Sequence, residues 1–148
     1  MPVYRKAIST DAPAVVILIR LLVGAVFVSE GIQKFLFPAE LGVGRFTRIG
    51  IPAPELLAPL VAVVEIGSGV LILSGLLTRL AAVTLIVNML VAIATTKVPI
   101  LLTQGFWAMV HESRTDFSML LGSLFLLIIG AGEWSLDAFL TRRRRQGW

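Results

Sequence analysis

Three polar side chains lie deep inside apolar stretches of the sequence, where a charge is costly unless it is paired. Glu65 is the one charged residue between Leu56 and Leu73, Arg20 lies in the first apolar stretch and Asn88 in the third. A charge at the centre of a membrane helix costs about 2.5–3.5 kcal/mol on insertion scales, and pairing recovers part of that cost. We therefore predict that Arg20 and Glu65 face each other, with Asn88 at a similar depth.

This polar layer could hold a quinone headgroup. Arg20 and Asn88 could donate hydrogen bonds to a quinone oxygen, and Glu65 could pass a proton as that oxygen is reduced. No motif in the sequence encodes a cofactor site. The alternative is structural, because buried Arg–Glu pairs and intramembrane asparagines also fix the register of packed helices. The residues alone leave both interpretations open.

A second polar group is predicted at the outer end of the helices, where it could line an outward-facing mouth. Its members are Glu30, Lys34, Lys97, His111, Glu112 and Asp116. Glu30 and Lys34 could equally form a helix pair four residues apart, with the lysine stem extending outward. His111 is the only histidine in the chain, and its acidic neighbours do not share one helix face with it, so we predict no metal site.

Small residues at helical spacing accompany the candidate polar residues. The first stretch carries Arg20, Gly24, Phe27, Gly31 and Lys34, and the second carries Ala58, Ala62, Glu65 and Gly69. Residues three and four positions apart share a helix face, and small residues let two membrane helices approach closely. These faces are therefore predicted to pack against each other.

The composition indicates an integral membrane protein. The 148 residues are 57% hydrophobic and 15% charged, and the mean hydropathy is +0.91. The chain has no cysteine, so thiol chemistry would have to come from a partner. The net charge of +4 includes four arginines at positions 142 to 145. A basic tail beside a membrane helix explains them, and no nucleic-acid partner is predicted.

Four helices are predicted, at about residues 13–37, 56–74, 78–97 and 116–134, which form one transmembrane domain over residues 1–148. The fold class is therefore an all-α, integral membrane four-helix bundle. Gly75 is expected to end the second helix and Thr78 to cap the third. The first helix is too long for a signal peptide and is not followed by a cleavage motif, so we retain it. The apolar piece at residues 100–110 is too short to span and is expected to lie in the outer interface, anchored by Trp107.

The basic residues predict the orientation in the membrane. With four crossings, both termini and the turn between helices 2 and 3 share one side. That side collects Arg5, Lys6, Arg79 and Arg142 to Arg145, against Lys34, Arg45, Arg48, Lys97 and Arg114 opposite. The positive-inside rule then places both termini in the cytoplasm of a multi-pass inner-membrane protein.

Three motifs in order give the chain a resemblance to a known family. They are R-L-L-V-G-A-V-F-V-S-E-G-I-Q-K at 20–34, E-I-G-S-G-V-L-I-L-S-G-L-L-T-R at 65–79 and G-A-G-E-W-S-L-D at 130–137. Together they resemble the DoxX family of small four-helix membrane proteins. The closing motif is similar to G-P-G-x-x-S-L-D, with Ala131 where proline often stands.

The resemblance implies two kinds of function. Relatives include a membrane subunit of a thiosulfate:quinone oxidoreductase and proteins grouped with thiol-stress enzymes, which implies a quinone- or thiol-linked redox system with a partner subunit. More distant relatives act as membrane assembly factors, so a non-enzymatic scaffold is the alternative. Transport is a third possibility, although four helices are little material for alternating access. The Ser118-x-x-x-Gly122 spacing could pack helices within one bundle or between two copies of a homo-oligomer.

Overall fold

The computed structural model describes residues 12–145, with side chains through Arg142. The helices are α1 (Val16–Leu36), α2 (Val43–Arg48), α3 (Pro54–Ser74), α4 (Thr78–Ala92), a π-helical turn (Ile93–Lys97), α5 (Val98–Gln104), α6 (Phe106–Ile129) and α7 (Leu136–Arg145). No strand occurs in this part of the chain. The all-α class predicted from the sequence is confirmed.

Three helical spans are long and apolar enough to cross a membrane. They are Val16–Leu36, Pro54–Ser74 and Thr78–Gln104, and the third joins α4, the π-helical turn and α5 into 27 residues. The helix α6 is 24 residues long, but its first half is rich in charged residues. Whether α6 is a fourth crossing therefore stays a prediction.

The last predicted helix has different bounds in the structure. The sequence predicts residues 116–134, whereas α6 runs from Phe106 to Ile129. The expected loop before it is helical, because α5 continues the third span and only Gly105, at φ +89°, separates α5 from α6. Near the start of α6, Ser113 is buried and donates its hydroxyl to the Met109 carbonyl oxygen of the same helix, whereas His111, Glu112 and Arg114 are exposed.

The packing of α1 on α3 confirms the two predicted small-residue faces. A Cβ atom added at Gly24 would lie 2.9 Å from the Gly69 carbonyl oxygen, and one at Gly31 would lie 2.6 Å from the Ala62 carbonyl oxygen. Both distances are shorter than a Cβ contact allows, so a residue with any side chain at Gly24 or Gly31 would clash with the α3 backbone. The two helices thus approach backbone to backbone, and this contact aligns the polar residues that they carry.

Glycine also brings α6 close to α1 within the same bundle. A Cβ atom at Gly122 would lie 2.6 Å from a methyl group of Val23. Ser118, one turn earlier, is exposed and donates its hydroxyl to the Arg114 carbonyl oxygen on its own helix. The glycine of the Ser118-x-x-x-Gly122 spacing therefore packs inside one chain.

The turn between α3 and α4 forms where the sequence predicts it, but its cap comes from elsewhere. Gly75 ends α3 at φ +68°, a conformation that glycine adopts without steric cost. Thr78 does not cap α4 as predicted. The Asp137 carboxylate accepts hydrogen bonds from the backbone N–H groups of Leu77 at 2.9 Å and Thr78 at 3.1 Å. Burial raises the pKa of Asp137, whereas these donors and the nearby Arg20 act to lower it.

Candidate functional site

A cavity of about 390 Å³ lies among α1, α3, α4 and α6 and is covered by α2. Its apolar lining includes Val26, Phe27, Phe46, Leu57, Val61, Met89 and Met119. Its charged and amide lining consists of Glu30, Lys34, Arg45, Glu65, Asn88, Lys97 and Asp116. An apolar chamber with a few convergent polar groups is the usual form of a small-molecule site.

Three side chains, which we call the Glu65 triad, form the innermost polar group of this cavity. Lys34 Nζ lies 2.6 Å from Glu65 Oε2, and Asn88 Nδ2 donates to Glu65 Oε1 at 2.7 Å. The side chains of Lys34 and Glu65 are only 12% and 4% exposed. Both carboxylate oxygens therefore have a donor, which compensates the burial of the charge.

The Lys34 contact replaces the partner predicted from the sequence. The sequence predicts Lys34 either at an outer mouth or in a helix pair with Glu30, with its stem extending outward. In the structure it turns inward, and it also donates to the Glu30 carbonyl oxygen at 3.4 Å. The close packing of Gly31 against Ala62 brings the end of α1 beside α3, so the four-carbon stem of the lysine reaches Glu65.

The predicted pairing of Arg20 with Glu65 is wrong. Arg20 Nε donates to the Ile72 carbonyl oxygen at 2.8 Å and Nη2 donates to that of Leu73 at 2.6 Å. Residue 72 lies seven positions after Glu65, which is roughly 10 Å along a helix. The last carbonyls of a helix have no intrahelical donor and favour a cation, so they hold the arginine at this end.

Arg20 also ties the loop after α6 to α3. Its Nη1 atom donates to the Ala131 carbonyl oxygen at 3.2 Å and to the Trp134 carbonyl oxygen. A Cβ atom at Gly75 would lie 2.7 Å from the Arg20 Cζ atom, so the glycine makes room for the guanidinium. Arg20 therefore lies outside the lining of the cavity, and its donors serve backbone carbonyls.

A second ion pair lines the cavity near the helix ends that lie opposite the α3–α4 turn. Lys97 Nζ lies 3.2 Å from Asp116 Oδ2. In a regular α-helix, Lys97 would point roughly half a turn away from Asn88, nine positions earlier. The wider π-helical turn at Ile93–Lys97 changes this rotation, and such turns occur often at functional sites.

The structure brings together four of the six residues predicted for the outer mouth. Glu30, Lys34, Lys97 and Asp116 line the cavity, whereas His111 and Glu112 are exposed outside it. The His111 ring instead lies 3.1 Å from the Arg114 guanidinium through Nε2. Among residues 12–145, no three His, Cys, Asp or Glu side chains are grouped to hold a metal ion.

Several lining residues were missed by the sequence analysis. Arg45 and Phe46 come from α2, which lies between the first two predicted helices, at 13–37 and 56–74. Thr95 and Thr96 come from the π-helical turn and bond back to backbone carbonyls of their own helix. Glycine and proline residues on both sides of Arg45 disfavour a helix, so the sequence did not predict the short helix α2. No sequence pattern indicates a π-helical turn.

The triad leaves hydrogen-bonding capacity for a ligand. A lysine ammonium has three N–H donors and an asparagine amide has two. In the described part of the chain, Lys34 makes two contacts and Asn88 makes one. One donor on each side chain is thus left for a ligand oxygen, beside a carboxylate that can exchange a proton.

Comparisons with known proteins identify the family to which this chain is similar. A family model described as DoxX matches residues 15–98. The uncharacterized membrane protein Rv3486 of Mycobacterium tuberculosis is 53% identical over 148 residues, which cover 96% of this chain and 91% of the relative. The "Putative oxidoreductase CatD" of Bacillus subtilis is 30% identical over 131 residues, with 88% and 90% covered. No solved structure matches significantly.

Proposed function

Because the chain belongs to the DoxX family of membrane proteins, we propose that it binds a quinone headgroup as the membrane subunit of a redox system. The observation that carries this proposal is the cavity of about 390 Å³, which joins apolar walls to the Glu65 triad. A quinone headgroup is a flat apolar ring with two carbonyl oxygens, and it enters from the bilayer. Its size suits a chamber within the usual range of about 300–1,000 Å³ for small-molecule sites.

The residues of the triad have distinct roles in this proposal. Asn88 and Lys34 donate to the quinone oxygen through the N–H groups that remain to them, and Glu65 holds the proton that this oxygen receives. A quinone held there would supply two-electron, two-proton redox chemistry, and Glu65 would deliver one of the two protons. A partner subunit supplies the electrons, since this chain has no cysteine. The name of the Bacillus subtilis relative supports an oxidoreductase setting.

Glu65→Gln tests the role of the carboxylate. Glutamine keeps the size and one acceptor oxygen, but it cannot exchange a proton or compensate the buried Lys34 charge. We therefore expect a partial loss of folded yield, smaller than that of Glu65→Met, and the quinone is compared per folded protein. Quinone retained per protein should fall at least about tenfold, which corresponds to 1.4 kcal/mol. Tolerance of thiol or peroxide stress should fall with it. Mass spectrometry of gently extracted protein measures the quinone.

The control is Glu55→Gln, the same change at an exposed residue of α3 outside the cavity. It should leave yield, quinone content and stress tolerance unchanged. Normal behaviour of Glu65→Gln in all three assays would refute the proton-handling role. A loss of yield with normal quinone content per folded protein would favour the alternative, a non-enzymatic assembly factor in which the triad only fixes helix register.

The second expectation is that α6 is a fourth crossing and both termini are cytoplasmic. This helix is 24 residues long, which corresponds to about 36 Å. Its Asp116 is neutralised by Lys97, which lowers the cost of placing α6 beside the third span. Because the chain lacks native cysteine, single substitutions report on each side of the membrane.

Glu40→Cys, Gln104→Cys and Glu133→Cys test this topology at exposed positions. Positions 40 and 104 should react with a membrane-impermeant maleimide in intact cells. Position 133 should react only after permeabilisation. The reverse pattern would invert the orientation, and reaction of all three from one side would exclude the fourth crossing.

A further inference from the structure

The C-terminal helix α7 is fixed to one end of the bundle. Its first turn is capped by Ser135 Oγ, which accepts from the Ala138 N–H at 3.1 Å. The Asp137 N–H donates to the Gly75 carbonyl oxygen at 2.9 Å, and the Asp137 carboxylate caps α4. The helix therefore begins at the level of the α3–α4 turn, where two membrane spans end.

Opposite sides of α7 have different surroundings. Asp137 and Ala138 are buried against the bundle. Leu136, Phe139 and Leu140 share the other side at helical spacing, and Phe139 is 50% exposed. Trp134, directly before the helix, is 68% exposed. At the ends of membrane spans, such side chains lie at the boundary between acyl chains and headgroups.

A run of four basic residues follows the exposed apolar side chains of α7. Arg142 to Arg145 form the last turn of α7, directly after the exposed apolar side chains. An amphipathic helix with both features lies in the interface plane of a membrane and favours anionic lipid. Each basic residue near such a surface strengthens binding roughly fivefold.

We propose that α7 is a binding site for anionic phospholipid headgroups in the leaflet at the α3–α4 turn. The exposed Phe139 and Leu140 insert among the upper acyl chains, and the positive charge of the run at 142–145 attracts anionic headgroups. A nucleic acid would use the arginines but leave the apolar side chains in water. The capping contacts of α7 hold it at the depth where both kinds of contact form together. This site is separate from the cavity and does not depend on the quinone proposal.

The test replaces Arg142, Arg143, Arg144 and Arg145 with glutamine together in the full chain. The protein is placed in nanodiscs of equal phosphatidylglycerol and phosphatidylcholine, and native mass spectrometry counts the lipids that remain bound. The unmodified protein should retain phosphatidylglycerol preferentially, and the glutamine variant should lose this preference at least about tenfold. The quadruple lysine variant keeps the charge and should stay within about twofold of the unmodified protein.

Phe139→Ser tests the apolar contact separately. It keeps every arginine but removes an exposed ring, so the retained phosphatidylglycerol should fall while the preference over phosphatidylcholine persists. Equal retention of both lipids by the unmodified protein would overturn the proposal. An unchanged lipid preference in the glutamine variant would also overturn it. So would a result in which the glutamine variant keeps its lipids but loses a protein that co-purifies with the unmodified chain.

Discussion

Replacing Arg20 with glutamine is expected to lower the free energy of unfolding by on the order of 4 kcal/mol, because four backbone carbonyls lose a charged donor. Arg20 is 2% exposed, so water does not readily replace it. Glutamine has only two donors and a shorter reach. The Leu73, Ala131 and Trp134 carbonyl oxygens would then lose this donor, whereas that of Ile72 would keep the Gly75 N–H. Reversible unfolding in mixed micelles, followed by circular dichroism, measures this loss.

The matched control is Arg114→Gln. Arg114 is exposed, and its guanidinium contacts the His111 ring, so the same substitution should cost less than about 0.5 kcal/mol. A cost for Arg20→Gln that equals the control would show that the buried contacts do not stabilise the fold. Arg20→Lys should lie between the two, because lysine keeps the charge without the planar fork.

The Lys34–Glu65 pair is expected to show the strongest coupling in the chain. Lys34→Met leaves the buried Glu65 carboxylate with Asn88 as its one remaining hydrogen-bond donor. Glu65→Met leaves the buried Lys34 ammonium without a counter-charge. Each single change should cost about 3–5 kcal/mol, whereas the double change should cost less than either because no isolated charge remains. The same unfolding experiment on all four proteins gives the coupling free energy.

The Lys97–Asp116 pair provides the comparison. Its carboxylate side chain is 21% exposed, against 4% for Glu65, so water screens it more and its coupling should be smaller. Additive losses for Lys34→Met and Glu65→Met would contradict the pairing. Equal coupling in both cycles would show that burial does not set the strength of these pairs.

The three motifs behind the family resemblance meet at two separate places. Arg20 from the first, Gly75 from the second and Asp137 from the third meet at the α3–α4 turn. Lys34 and Glu65 from the first two meet in the cavity, where they contact each other. One set of motif residues therefore fixes the helix ends, and the other provides the candidate ligand site.

The sequence by itself determined the three membrane spans and the faces by which α1 and α3 meet. Apolar runs long enough to cross a bilayer predict helices, and three such spans are present. The spacing of Gly24, Gly31 and Gly69 predicts which faces of α1 and α3 meet, because helical periodicity is a local property of the chain. The break at Gly75 is equally local.

Tertiary structure decided which polar groups become partners. Arg20, Lys34 and Asp137 each bond to a residue more than 30 positions away, and a single sequence does not contain the relative register of two helices. A shift of seven residues along α3 moves a contact by roughly 10 Å, which separates Arg20 from Glu65 and leaves that carboxylate to Lys34. The π-helical turn before Lys97 depends in the same way on packing between helices rather than on the local sequence.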